Sequence, residues 1–148
     1  AELGEGEATE LVARPTDERE YMELARRKTG ALFRAAAELG AVAADADPFT
    51  IEAFGDYAER VGVAFQIRDD VLDATADADA LGKPTGQDAA MDRPSLVQVT
   101  DLSLEEANDR AHAQSEQALD ALAASNVDDS DSLEYLQDLA EFVVVRER

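Results

Sequence analysis

Apolar positions recur along this chain with the spacing of helices. In the segment that opens at Thr16 or Asp17, Tyr21, Leu24, Ala25, Ala31, Leu32, Ala35 and Leu39 fall on one stripe at 100° per residue. Asp17 with Glu20 has capping-box spacing, and Gly40 is a plausible stop for that helix. Asp47-Pro48 is an N-cap and first-turn pair for a third helix, whose stripe is Phe54, Ala58, Val61, Phe65 and Leu72. Gly55 and Gly62 lie along one flank of it, where a neighbouring helix or a ligand could come close. Residues 74–94 read as a loop, by their two glycines, two prolines and four aspartates. Pro94 to Val99 suits a short buried helix or turn. Ser103 with Glu106 caps a helix to about Ala124, and Asp131 with Glu134 opens the last one, with Leu133, Leu136, Ala140, Val143 and Val144 as its apolar residues. Residues 1–13 read as a helix remnant ending before Pro15. No strand pattern survives, since Val143-Val144-Val145 is short and sits within helical spacing. The expectation is an all-α fold, a bundle of about five helices in a single domain over residues 1–148.

Two lysines disturb this pattern. The chain has only Lys28 and Lys83, all its other cations being arginine. Lys28 falls in the middle of the second helix's apolar stripe, where a lysine must snorkel out or meet an anion. Gly30, two residues on, costs about 1 kcal/mol against alanine in a helix interior, so Lys28-Thr29-Gly30 suggests a local break or a close approach. Lys83 sits in the loop, in Gly82-Lys83-Pro84-Thr85-Gly86.

The third helix ends in carboxylates. In Phe65-Gln66-Ile67-Arg68-Asp69-Asp70-Val71-Leu72-Asp73, Asp69 and Asp73 lie one turn apart on one face with Gln66, and Asp70 points further outward. Two such carboxylates repel unless a positive charge sits between them, and a hard divalent cation such as Mg²⁺ fits. The bland account is a solvated acidic helix end. Asp77, Asp79, Gly82 and Asp88 fit part of a calcium-loop template, but Leu81 stands where a ligand is needed. His112, the only histidine, reads as a surface residue.

Bulk properties narrow the partners. The formal charge is −21 over 148 residues, so nucleic acid and anionic lipid are repelled. A surface like this also repels itself, an effect that fades at molar salt where the Debye length is about 3 Å. With 45% hydrophobic residues, a folded, halophilic protein of a salt-rich cytoplasm is expected. The absence of cysteine excludes disulfides and thiolate chemistry. No apolar run approaches the roughly 20 residues of a membrane span. The chain starts without Met, in what reads as mid-helix, which suggests a processed or partial chain.

A lysine on an apolar face, a DDxxD cluster and a lysine in a Gly/Pro loop can together grip a diphosphate above a greasy cavity. Four segments in order are similar to the C-terminal half of the trans-prenyl diphosphate synthases, the farnesyl and geranylgeranyl diphosphate synthase family. They are Lys28-Thr29-Gly30-Ala31-Leu32-Phe33, the Phe65–Asp73 stretch, Leu81-Gly82-Lys83-Pro84-Thr85-Gly86-Gln87-Asp88, and Leu139-Ala140-Glu141-Phe142-Val143-Val144-Val145-Arg146. The resemblance implies helices around a deep cavity. It implies that Asp69, Asp70 and Asp73 form the second aspartate-rich motif and hold Mg²⁺. Lys28, Thr29 and Lys83 would contact an allylic prenyl diphosphate, Gln66 would line the site, and Arg93 stands where the family often has lysine. Lys28, Asp69 and Lys83 are the expected catalytic set. The implied reaction ionises the allylic diphosphate, adds isopentenyl diphosphate to the carbocation and loses a proton, with water excluded. Phe65 could add cation–π stabilisation, although core packing suits it better. The family's first aspartate-rich motif and its isopentenyl-binding basic residues are absent. The chain should therefore be inactive alone and expose apolar faces, as a homodimer or in association with a missing N-terminal half. The alternative is a non-catalytic, diphosphate-binding or regulatory subunit.

Overall fold

A computed structural model of the chain describes residues 15–79, 96–125, 127 and 130–147. The described residues contain helices and no strand. Helix α1 is Glu18–Ala25, followed by a π-helical turn at Arg26–Gly30 and helix α2 at Ala31–Ala43. These three run on as one rod. Helix α3 is Pro48–Asp79, α4 is the single turn Leu96–Val99, α5 is Leu104–Ala123 and α6 is Asp131–Val145. Four long rods and one short turn thus stand where about five helices are expected. The remnant at residues 1–13 lies outside the described residues.

The ends follow from local chemistry. Asp17 accepts from the Glu20 amide at 2.8 Å, while the Glu20 carboxylate accepts from the Thr16 amide and hydroxyl at 2.8 and 2.9 Å. Both predicted capping residues therefore take part. Ser103 and Glu106 close the full capping box of α5. Ser130, one residue before the predicted Asp131, caps α6 by accepting from the Leu133 amide at 3.1 Å. Helix α2 does not stop at Gly40. It ends three residues later, with Asp45 at φ 58 and the Ala46 and Asp45 amides bonding back to Ala41 and Val42. That is a Schellman ending, and aspartate is among the few non-glycine residues that adopt the left-handed conformation readily. Helix α3 likewise runs past residue 73, through Asp79, because alanine alternates there with short polar residues and neither glycine nor proline interrupts before Gly82.

Helix α3 is the axis of the fold. Val61, Gly62, Val63 and Ala64 are four consecutive buried residues, so this helix is covered on nearly every side. Helix α5 packs along it through Ala107, Ala111 and Ala118, all fully buried, whose small side chains let the two backbones approach closely. Helix α6 packs against α5 and α3, with the Ser115 hydroxyl donating to the Ala140 carbonyl and the Tyr57 hydroxyl to the Leu136 carbonyl, each at 2.6 Å. The α1–α2 rod lies on another side. Arg34 reaches from it to Asp56 at 2.8 Å and Glu59 at 3.2 Å.

The π turn changes which residues of the rod face inward. Before it, Tyr21, Leu24 and Ala25 are buried as the stripe requires. After it, Leu32, Ala35 and Leu39 are exposed, Leu39 to 71%, whereas Gly30 and Ala41 are buried and Phe33 and Ala37 pack on the core. One extra residue in the turn advances the register by about 100°, and a stripe drawn at constant pitch cannot anticipate that.

Candidate functional site

The turn and α3 meet at glycine. A Cβ added at Gly62 would stand 3.0 Å from the Thr29 carbonyl and 3.1 Å from the Gly30 Cα, both backbone atoms. This close approach sets Lys28 and Thr29 beside the last turns of α3, where Gln66, Asp69, Asp70 and Asp73 lie.

A chain of hydrogen bonds then joins the two elements. The Thr29 hydroxyl donates to Gln66 Oε1 at 2.7 Å, and Gln66 Nε2 donates to Asp70 Oδ1 at 3.1 Å. The Tyr21 hydroxyl, from α1, donates to Asp70 Oδ2. Asp70 is therefore turned inward and buried, not outward as the helix pattern suggests. The reason is the α1–α2 rod, which covers the side of α3 that an isolated helix would leave to water. Asp69 and Asp73 do share a more open face, as one-turn spacing requires, with Asp69 half-buried and Asp73 exposed. One oxygen from each of the three aspartates lies within 4.8 Å of the others.

Burial acts against a charge at Asp70. It pushes that carboxyl from 3.8 to about 7. The hydrogen bonds from Tyr21 and Gln66 oppose this shift, the charge of Asp69 adds to it, and Lys28 counters. Tyr21 is held well above its ordinary value by its own burial and then by the Asp70 charge. A cation placed among the three carboxylates would relieve the same penalty. The donor set, oxygen only and anionic, suits a hard divalent ion.

The far side of the cluster is held by the end of α6. Arg68 donates from Nε and Nη2 to the Arg146 carbonyl, at 3.0 and 2.9 Å, and from Nη1 to Asn108 Oδ1 at 2.8 Å. The Arg146 guanidinium lies 4.3 Å over the Phe65 ring, donates to the Phe65 carbonyl at 3.3 Å, and comes within 3.9 Å of Asp69. Phe65 also packs on Phe33, with ring centroids 5.9 Å apart. Its ring is thus a shelf for an arginine of the same chain as well as a packing residue.

The structure brings together Lys28, Thr29, Gln66, Asp69, Asp70 and Asp73. Lys83 and Arg93 lie outside the described residues, as does the Lys83 loop. His112 is exposed, as expected. The helical pattern places Tyr21 only on an apolar stripe, and assigns no role to Arg68 or Arg146. One signal for Tyr21 is available in it: the residue precedes Lys28 by seven positions, two turns on the same face, and a buried tyrosine hydroxyl needs a partner.

The model of a family described as polyprenyl synthetase matches residues 1–139. A geranylfarnesyl diphosphate synthase of Aeropyrum pernix is 33% identical over 153 aligned residues, which cover 99% of this chain and 48% of that protein. Among solved structures, a decaprenyl diphosphate synthase from Rhodobacter capsulatus superposes with a TM-score of 0.83 at 28% identity, covering 99% of this chain and 57% of the other. A polyprenyl synthase from Caulobacter crescentus gives 0.81 at 28%, covering 99% and 56%. The chain spans about half the length of these relatives.

Proposed function

The chain belongs to the polyprenyl synthetase family, and from that premise we propose that it supplies the second aspartate-rich part of a prenyltransferase site. The reaction is condensation of isopentenyl diphosphate with an allylic prenyl diphosphate, in isoprenoid biosynthesis. The observation that carries this reading is the bonded chain from Thr29 through Gln66 to Asp70, which ties the Lys28 turn to the carboxylate cluster. A cationic turn and a metal-holding triad are the two parts a diphosphate needs, and one hydrogen-bonded path sets their separation. The Caulobacter crescentus relative is described as complexed with calcium and isoprenyl diphosphate, which supports the same pairing of groups.

Each residue has a part in this reading. Asp69 and Asp73, on the open face, with Asp70 behind them, would hold a divalent cation such as Mg²⁺. Bound there, that ion supplies positive charge against a departing diphosphate. Lys28 and Thr29 would bind and orient the allylic diphosphate, Lys28 by charge and Thr29 by its hydroxyl, whose single proton would turn from Gln66 to a phosphate oxygen. Gln66 has its amide engaged at both ends, so it spaces the two groups and is the less direct contact. Lys83 and Arg93, outside the described residues, would add cations. Phe33 and Phe65 pack on each other beside the site, and an apolar lining would be needed to exclude water from a carbocation. Asp70 is held in place by Tyr21 and Gln66, while Asp69 and Asp73 stand on the more open face, and a carboxylate placed before the ligand arrives favours electrostatic catalysis.

Asp69→Ala in the intact protein is expected to slow incorporation of labelled isopentenyl diphosphate by about 100-fold or more, with the helical circular dichroism unchanged. Turnover near that of the parent would sink the metal role. The same assay on these 148 residues alone is expected to give no product. Labelled product from the isolated chain would show that it holds a complete site, and would also exclude a purely regulatory subunit.

A further inference from the structure

We infer that Arg146 is a positioning residue for Asp69: its guanidinium serves as the internal counter-cation of that carboxylate in the metal-free protein, and a divalent ion binds the aspartate cluster in competition with it. The inference rests on the reading of Asp69, Asp70 and Asp73 as metal ligands.

Arg146 does not reach Asp69 by chance of a loose tail. It stands one residue beyond the last residue of α6, and its extended backbone turns the chain out of the helix. Arg68 fixes that point, because two of its N–H groups converge on the single Arg146 carbonyl while the third is held by Asn108 of α5. Arg68 adjoins Asp69 on α3. The helix that presents the aspartates therefore also seats the arginine that faces them.

The side chain of Arg146 is only 13% exposed. Its Nε is buried and has no hydrogen-bond partner among the described residues. A buried, unpaired donor on a guanidinium is costly, so the rest of the side chain's contacts must offset it. The Phe65 ring 4.3 Å beneath it, the Phe65 carbonyl at 3.3 Å and Asp69 at 3.9 Å are its attractive partners among the described residues. The distance to Asp69 is that of a charge pair without a good hydrogen bond. Such a contact neutralises Asp69 without consuming its lone pairs, and yields at little cost to a doubly charged ion with a stronger field. The metal-free site is thus partly self-neutralised, which tempers the repulsion between Asp69 and its two neighbours.

The consequence is a coupling between metal binding and the end of α6. When a divalent ion takes Asp69, Arg146 loses its partner and its positive charge is repelled. Conversely, removing that charge should make the empty cluster more attractive to a cation. A merely structural arginine would predict lower stability and no gain in metal affinity.

The test is a titration of the intact, chelator-treated protein with Mn²⁺ alone, read by the electron paramagnetic resonance signal of the free ion, at the lowest salt that preserves native circular dichroism. Arg146→Gln is expected to bind Mn²⁺ about threefold to tenfold more tightly than the parent. Arg146→Lys, which keeps the charge, should stay nearer the parent. Arg68→Gln, which removes the seat but not the guanidinium, should shift the affinity in the same direction as Arg146→Gln. Asp69→Asn separates the metal site from the arginine that faces it. If it leaves the titration unchanged, the metal reading of the cluster fails and the inference falls with it. If Asp69→Asn removes a site while Arg146→Gln leaves its affinity unchanged or weaker, the metal reading stands and Arg146 is not the counter-cation of Asp69.

Discussion

Asp70 shows how much one side chain's environment matters. Its two oxygens accept from Gln66 and Tyr21 respectively, and burial holds its carboxyl at about 7, well above an ordinary aspartate. An unfolded chain releases that proton near 3.8. Between these two values the folded protein holds a proton that the unfolded chain has lost. Stability from this group is therefore full below about 4 and is lost as pH rises through about 7. In chelator, the stability of the parent towards urea should fall between pH 5 and pH 8, by an amount on the order of 3 kcal/mol. Asp70→Asn, whose amide carries no charge, should flatten that decline and leave the variant more stable than the parent at pH 8. Parallel pH profiles for the two proteins would show that Asp70 is not the group responsible. A divalent ion should reverse the loss in the parent and have little effect in the variant.

At the scale of the element, the π turn at Arg26–Gly30 has two effects. It brings Thr29 and Gly30 against Gly62, and it rotates the rest of the rod so that Phe33 and Ala41 face inward. The contact with Gly62 is backbone to backbone, so neither side can yield by a rotamer change. Gly62→Ala would gain up to about 1 kcal/mol of helix propensity in α3. Overpacking of this kind nevertheless costs about 1–3 kcal/mol, and the displaced atoms belong to the turn that carries Lys28 and Thr29. A net loss of stability is expected by urea denaturation, together with a raised KM for the allylic diphosphate. Gly40→Ala makes the contrast, since a Cβ there meets nothing within 4 Å, and it should be neutral or stabilising. Equal behaviour of the two variants would show that close approach does not explain Gly62.

For the whole molecule, two facts stand together. Leu32, Leu39 and Val42 on α2, and Tyr135, Phe142 and Val145 on α6, are more than half exposed. The chain also spans about half the length of its relatives. Exposed large apolar side chains grouped on one helix are the kind that an interacting surface would cover. No described helix is long and apolar enough to cross a membrane. A formal charge of −21 surrounds this core. Ion pairs such as Arg34 with Glu38 and Arg110 with Glu18 are partly exposed and contribute little each. With so large an excess of carboxylates, repulsion outweighs pairing at the surface, and salt should relieve it. The thermal midpoint is expected to rise steadily as potassium chloride goes from about 0.1 M to about 1 M, where the Debye length falls from about 10 to about 3 Å. A flat or falling curve would contradict a salt-adapted surface.

The sequence by itself determined the fold class, the helix starts and the main candidate residues. Those depend on local chemistry: caps at Asp17, Asp47 and Ser103, helical periodicity, and carboxylates one turn apart at Asp69 and Asp73. The family was legible for the same reason, since its motifs are short runs in a fixed order. What the sequence did not carry was phase and direction between elements. A constant pitch put Leu32 and Leu39 inward, because one extra residue in a helical turn leaves no compositional mark beyond the Thr29-Gly30 pair. Asp70 looked outward because a lone helix has no neighbour, and only the packed α1 gives it Tyr21 as a partner. Arg146 lies far from Asp69 along the chain and meets it only because α6 returns along α3 and Arg68 grips its end. Contacts of that sequence separation are decided by how helices stack, and the tertiary structure alone records them.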